Sequence, residues 1–260
     1  VDNPFALNYV DRDYEDTPVV ANDREQPKKA SPARNHITYH PDLVQGSEEW
    51  LAARCGLLTA SEMKLILTPT LKMASNDKER AHLYELLAQR ITRYVEPRYI
   101  SDDMLRGHDD EIEARIQYGN HFAEVADVGF ITNDRWGFTI GYSPDGLVGD
   151  DGLIECKSRR QRFQIETIAA GEVPTDYVLQ LQTGLLVSER AWVDFISYSG
   201  GLPMFVTRVH GDPVMQAAII SAATAFEQRL ADKERDYRAA LIAMPKLVET
   251  ERRVEQEMFV

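Results

Sequence analysis

The chain has 260 residues with ordinary hydrophobic (43%) and charged (27%) fractions, enough for one large domain with a buried core, alone or with an extension. Its net charge of −13 excludes a protein that coats nucleic acid through a general basic field, while leaving room for a small local basic track. No apolar run reaches the roughly 20 residues of a membrane helix, no signal-peptide pattern opens the sequence, and two cysteines, Cys55 and Cys156, cannot frame disulfides, zinc or an iron–sulfur cluster, which fits a reducing cytoplasm.

Residues 1–40 are polar and dotted with Pro4, Pro18, Pro27 and Pro32, and read as an extended arm ahead of a domain over 41–245. Ser47 is placed to cap a helix over SEEWLAAR, whose dipole favours Glu48 and Glu49 in the first turn. Thr59-Ala60-Ser61-Glu62 has the T-x-x-E spacing of a capping box and leads into Met63, Ile66 and Leu67. Leu83, Leu86, Leu87, Ile91 and Tyr94 predict a helix over about 78–95, stopped by Pro97. Another is predicted over about 102–118, ending at Gly119. FTIGYS, LIECK, AWVDFISYS and MFVTRVH read as strands, with helices at about 161–170 and 175–188 between the second and third. Asp212-Pro213 reads as the cap and first residue of a final helix of some 25–30 residues, followed by a charged tail over 246–260. This order predicts an α/β domain with a mixed central sheet flanked by helices.

The stretch SPDGLVGDDGLIECK, Ser143 to Lys157, places charges where a buried strand has no obvious use for them. Side chains alternate along a strand, so Glu155 and Lys157 share one face and Ile154 and Cys156 the other. Two hairpin loops are open to this sequence. A two-residue loop, Asp151-Gly152, sets Asp145 opposite Ser158 and on the other face from Glu155. A three-residue loop, Asp150-Asp151-Gly152, sets Asp145 opposite Lys157, so that Asp145, Glu155 and Lys157 share a face. In the second case two carboxylates beside a lysine suit a hard divalent cation such as magnesium, and Lys157 can position or help deprotonate a water. The competing use is a cross-strand ion pair between Asp145 and Lys157.

Pro144-Asp145 followed by Glu155-Cys156-Lys157 resembles the PD-(D/E)XK nuclease signature. LAARCGLLTASE, Leu51 to Glu62, resembles the R-x-G-x-x-T-A-S-E segment of the phage lambda exonuclease and YqaJ-type viral recombinase nucleases. Gly107 to Glu111, Ser143 to Gly146 and YVLQLQ, Tyr177 to Gln182, are similar to that family's G-x-x-x-E helix, S-P-D-G turn and glutamine-bearing helix. The resemblance covers roughly residues 45–200 and implies a PD-(D/E)XK, restriction-endonuclease-like core. It further implies an exonuclease that degrades one strand of linear duplex DNA from a 5′-phosphorylated end in a bacterial host cytoplasm, with phage or prophage origin.

By the same resemblance Asp145, Glu155 and Glu111 are metal ligands, with the backbone carbonyl of Cys156 a further one. Lys157 serves the attacking water and Gln180 belongs to the active site, Gln182 competing with it by one register step. Arg54, Ser61 and Ser143 hold the 5′-phosphate, for which a guanidinium and a hydroxyl near a helix start are suited donors. Met104, His108, Glu111 and Arg115 form one helical stripe, and Glu111 is open to a surface pairing with Arg115 instead. Arg159, Arg160 and Arg162 are candidates to follow the DNA backbone, or a solvated charge run. The implied cofactor is Mg²⁺ in a two-ion arrangement, with Mn²⁺ able to substitute. Implied partners are duplex DNA ends, further copies of the chain in a ring (a trimer by resemblance), and a single-strand-annealing recombinase. An endonuclease of the same superfamily, restriction or junction-resolving, and a non-catalytic DNA-end-binding subunit are the alternatives.

Overall fold

The computed structural model describes residues 35–97, 102–244 and 246–252. The arm up to residue 34, the end of the tail from 253 and the side chain of Met104 lie outside the described residues. Among the described residues, eight strands form two four-stranded sheets. The first is ordered β1 (Ile37–His40), β3 (Phe130–Asn133), β4 (Ile140–Tyr142) and β2 (Leu58–Thr59), with β2 parallel to β4 and the other pairs antiparallel. The second is ordered β5 (Gly146–Val148), β6 (Gly152–Ser158), β7 (Trp192–Tyr198) and β8 (Phe205–His210). Its central pair, β6 and β7, is parallel and its outer pairs are antiparallel, giving the expected mixed sheet. Sequence reading anticipated one sheet. The extra one recruits residues 37–40 from the expected arm as β1.

Parallel pairing of β6 and β7 needs a crossover, supplied by α5 (Gln161–Ala170) and α6 (Thr175–Ser188) at the expected positions. Leu179, Leu181, Leu185 and Val187 are all buried because α6 packs against strands of both sheets and against α2 (Met63–Ile66) and α7 (Pro213–Ala243). A helix enclosed this way carries apolar residues on most sides. On the opposite face of β6, Ile154 and Cys156 pack with Ala114 and Tyr118 of α4 (Asp102–His121). The Tyr118 hydroxyl donates to Asp194 at 2.6 Å, and Ser158 donates to Asp110 at 2.5 Å, tying α4 to the central sheet.

Ser47 caps α1 (Glu48–Arg54) by accepting from the Trp50 N–H, and Asp212 caps α7 by accepting from Val214 and Met215, as read from sequence. α3 (Asp77–Thr92) is capped by Asn76 and ends earlier than expected. Arg93 takes a left-handed conformation (φ 54°), so Tyr94 lies beyond the helix, and the Arg252 guanidinium sits 3.7 Å over its ring. The capping box is corrected. Residues Ala60–Glu62 form a 3₁₀ turn, and Thr59 makes no cap to the backbone; its hydroxyl donates to the Glu62 carboxylate at 2.8 Å. Among the described residues no helix is long and apolar enough to cross a membrane.

The hairpin loop is neither of the two expected. Pairs Leu147 with Leu153 and Val148 with Gly152 leave Gly149, Asp150 and Asp151 as the loop, with Gly149 in the left-handed region (φ 52°). Neighbouring groups outside the hairpin set this register. A Cβ on Gly152 would lie 2.2 Å from the Trp192 ring, so only glycine lets β6 start there. Arg190 donates to the carbonyls of Gly149 and Gly152, and the N–H of Ala191 to that of Asp151. The register carries Asp145 opposite Glu155 rather than Lys157, yet an even shift keeps Asp145, Glu155 and Lys157 on one face.

Candidate active site

The two sheets meet at the segment from β4 to β5, where Tyr142, Ser143 and Asp145 follow one another into a pocket of about 190 Å³. From β6 come Glu155 and Lys157, from α6 Gln180, from α4 Glu111, and from α1 and the 3₁₀ turn Arg54 and Ser61. Eight side chains singled out by sequence thus line one cavity: Arg54, Ser61, Glu111, Ser143, Asp145, Glu155, Lys157 and Gln180. Cys156 contributes its backbone. Its N–H donates to Asp145 Oδ2 at 2.5 Å, while its side chain turns into the core, where burial pushes the thiol pKa up.

Glu155 is 1% exposed and accepts at both oxygens. Lys157 Nζ lies 2.6 Å from Oε1, Gln180 Nε2 also donates to Oε1, and the Tyr142 hydroxyl donates to Oε2 at 2.8 Å. Gln182, the competing register, turns away and bridges the His210 carbonyl and the Asp212 N–H. Burial, then the Glu155 and Glu111 charges, push the Asp145 pKa well above the usual carboxylate range. For Lys157 burial opposes the ammonium, but Glu155 and Asp145 outweigh it and hold its pKa above the ordinary value. Tyr142 is raised too, by burial first and Glu155 second, and stays a hydrogen-bond donor.

The other wall is cationic. Arg54 Nη2 donates to the Thr59 hydroxyl at 3.3 Å, and its guanidinium lies 4.2 Å from the centre of the Trp50 ring. Ser61 lies 3.3 Å from the same hydroxyl, and Trp50 Nε1 donates to Ser143 Oγ at 3.0 Å. Trp50 and Tyr142 were missed by sequence reading. Trp50 precedes Arg54 by four positions, the spacing that puts two side chains on one helical face, and that signal was available. Tyr142 looked like an ordinary apolar strand residue. Ser61 sits in a 3₁₀ turn ahead of a four-residue helix, so what this corner offers an anion is the Ser61 hydroxyl and Arg54, not a helix dipole.

Arg115 pairs with Asp127, not Glu111, which faces the pocket. Arg159, Arg160 and Arg162 lie outside the pocket lining: Arg159 bonds the Tyr177 hydroxyl at 2.9 Å, Arg160 is the N-cap of α5, and Arg162 packs over Phe163. Among the described residues no group of three or more His, Cys, Asp or Glu side chains is clustered to hold a metal by itself. The pair Asp145 and Glu155 nevertheless fits a divalent ion. Two adjacent buried carboxylates with one lysine carry excess negative charge, the donors are all oxygen, and magnesium is commonly held by one or two carboxylates with substrate phosphate and water completing its shell.

Residues 49–191 match the model of the YqaJ-like viral recombinase domain, which is more than half of the chain. The chain belongs to the YqaJ-like viral recombinase family. Its fold is similar to the crystal structure of an alkaline exonuclease, LHK-Exo, from Laribacter hongkongensis, at 33% identity and a TM-score of 0.68, over 76% of this chain and 100% of that one. A second structure of LHK-Exo, in complex with dAMP, matches at 33% identity and a TM-score of 0.69 over the same shares. No curated protein matches the chain. The expected PD-(D/E)XK, restriction-endonuclease-like core and the family read from residues 45–200 are thus borne out.

Proposed function

We propose that this YqaJ-family chain is a metal-dependent 5′-to-3′ DNA exonuclease that hydrolyses one strand of a linear duplex from a 5′-phosphorylated end and leaves 3′ single-stranded overhangs. The observation that carries the reading is the single pocket in which a carboxylate–lysine wall, Asp145, Glu155 and Lys157, faces a phosphate-binding wall, Arg54, Ser61 and Ser143. Mg²⁺, held by Asp145 and Glu155 with the Cys156 carbonyl and Glu111 as further donors, would polarise the scissile phosphoryl group and acidify a water; Mn²⁺ is expected to substitute.

This chain's own residues do the rest. Arg54, with Ser61 and Ser143, grips the terminal phosphate and sets the next phosphodiester beside Glu155. Lys157, kept charged by its carboxylate neighbours, acts as a donor that orients the attacking oxygen rather than as a base. Water adds to phosphorus and the bond to the 3′-oxygen of the terminal nucleotide breaks, releasing a 5′-mononucleotide. The shortened strand again ends in a 5′-phosphate, so each cut regenerates the group that Arg54 recognises. Overhangs made this way are the substrate of a single-strand-annealing recombinase, the proposed partner.

The test is digestion of linear duplex DNA in Mg²⁺, with 5′-phosphate or 5′-hydroxyl ends, beside a covalently closed circle. Mononucleotide release from phosphorylated ends, a spared circle, and a kcat loss of roughly 10²–10³-fold in Lys157→Ala, as for removal of one positioned donor, are expected. A cut circle would favour an endonuclease. Tight DNA binding without cleavage in Mg²⁺ or Mn²⁺ would favour an end-binding subunit.

A further inference from the structure

Tyr142 has a place in this site that neither the sequence motif nor the family match assigns. It is the last residue of β4 in the first sheet, whereas Glu155 lies on β6 in the second, so their 2.8 Å hydrogen bond spans the two sheets. Both residues are 1% exposed, and water does not compete for either group. Glu155 Oε1 already receives Lys157 and Gln180; Tyr142 donates to Oε2. The carboxylate is therefore gripped at both ends and its plane is set.

α6 is shaped to admit the phenol. A Cβ on Gly184 would stand 2.6 Å from Tyr142 Cζ and within 3.0 Å of both neighbouring ring carbons. Gly184 lies one turn after Gln180, so the same helical face provides a donor to one carboxylate oxygen and the space for the donor to the other. A glycine in a helix interior costs stability relative to alanine, and the close approach of the ring explains its presence.

We propose that Tyr142 is a positioning residue for the divalent-metal site, holding Glu155 Oε2 so that the carboxylate meets the ion in one fixed orientation, with Gly184 as the cleft that lets it do so. This rests on the reading of Asp145 and Glu155 as metal ligands. Hydrogen-bonded partners behind a ligand typically change metal affinity by about 10–100-fold when removed.

The experiment is a calorimetric titration of the full chain with Mn²⁺ alone, without DNA, comparing the parent, Tyr142→Phe and Gly184→Ala, with Tyr39→Phe, outside the pocket lining, as a phenol-removal control. The Mn²⁺ concentration for half-maximal cleavage is measured in parallel. Tyr142→Phe keeps the ring and is expected to weaken Mn²⁺ binding about tenfold or more. The half-activating concentration should rise by a similar factor, while kcat at saturating Mn²⁺ stays much closer to the parent value. Gly184→Ala, which displaces the ring, should shift both readouts in the same direction, and Tyr39→Phe neither. Should Tyr142→Phe not fold, Gly184→Ala decides by the same titration. Affinity within twofold of the parent in the folded variants overturns the proposal and leaves the metal reading standing. A parent that binds no Mn²⁺ overturns the metal reading and this inference with it.

Discussion

Asp145 is a carboxylate placed where it costs stability. Buried beside Glu155 and Glu111, its pKa is raised, so the native state binds its proton more tightly than the unfolded chain does. Its contribution to stability is therefore fully present below the ordinary carboxylate pKa and is lost as pH rises through the raised value. Asp145→Asn keeps an acceptor for the Cys156 N–H and removes the charge. That variant should be more stable than the metal-free parent at neutral pH, by about 2–4 °C in Tm for each kcal/mol of relieved repulsion. Mn²⁺ should raise the parent's Tm by mass action and leave that of Asp145→Asn unmoved; differential scanning fluorimetry reads both. On the opposite wall, Arg54→Lys retains charge but loses the planar fork and its stacking on Trp50. KM for 5′-phosphorylated ends should rise about tenfold or more, with little change for 5′-hydroxyl ends, the loss expected for a charge-assisted bidentate contact. Equal losses on both substrates would remove Arg54 from phosphate recognition.

Elements carried the site where their signals were local. The Asp212 cap receives two N–H groups at the start of α7, and Asp212→Ala should lower stability by about 1 kcal/mol with unchanged specific activity, measured by denaturant titration. Helices α5 and α6 were legible in their bounds, expected at about 161–170 and 175–188 and observed at Gln161–Ala170 and Thr175–Ser188, although neither has a side-chain cap. The shared face of Asp145, Glu155 and Lys157 was legible too, since strand alternation survives any even change of register. The actual register was not. Gly149-Asp150-Asp151 is a loop because Trp192 presses on Gly152 and Arg190 grips its carbonyls, and those residues lie some 40 positions downstream. The four-residue β1 and two-residue β2 were invisible for the same reason, being defined by β3 and β4 rather than by their own pattern. Just ahead of the 3₁₀ turn, Thr59 donates its hydroxyl to Glu62 and accepts from Arg54, so a correct motif had a different local geometry.

For the whole molecule, a net charge of −13 sets the problem of attracting DNA at all. Attraction must be focused at the pocket mouth and the few basic residues near it, rather than spread over the surface. Binding of duplex ends should then depend weakly on salt, with a slope of log affinity against log salt of roughly −2 to −4, as for two to four neutralised phosphates. A ring of copies, expected from the family resemblance, would add contacts around the duplex; sedimentation at two salt concentrations should find more than one subunit, and a monomer at both would contradict it. Loss of label from a blunt duplex, with one 5′-phosphorylated strand tagged at either end, is the most direct measurement. In Mg²⁺ the parent should release the 5′ label first as a mononucleotide, and neither Lys157→Ala nor a chelated sample should release it. Release of the 3′ label first, or release that persists in Lys157→Ala, would contradict the account.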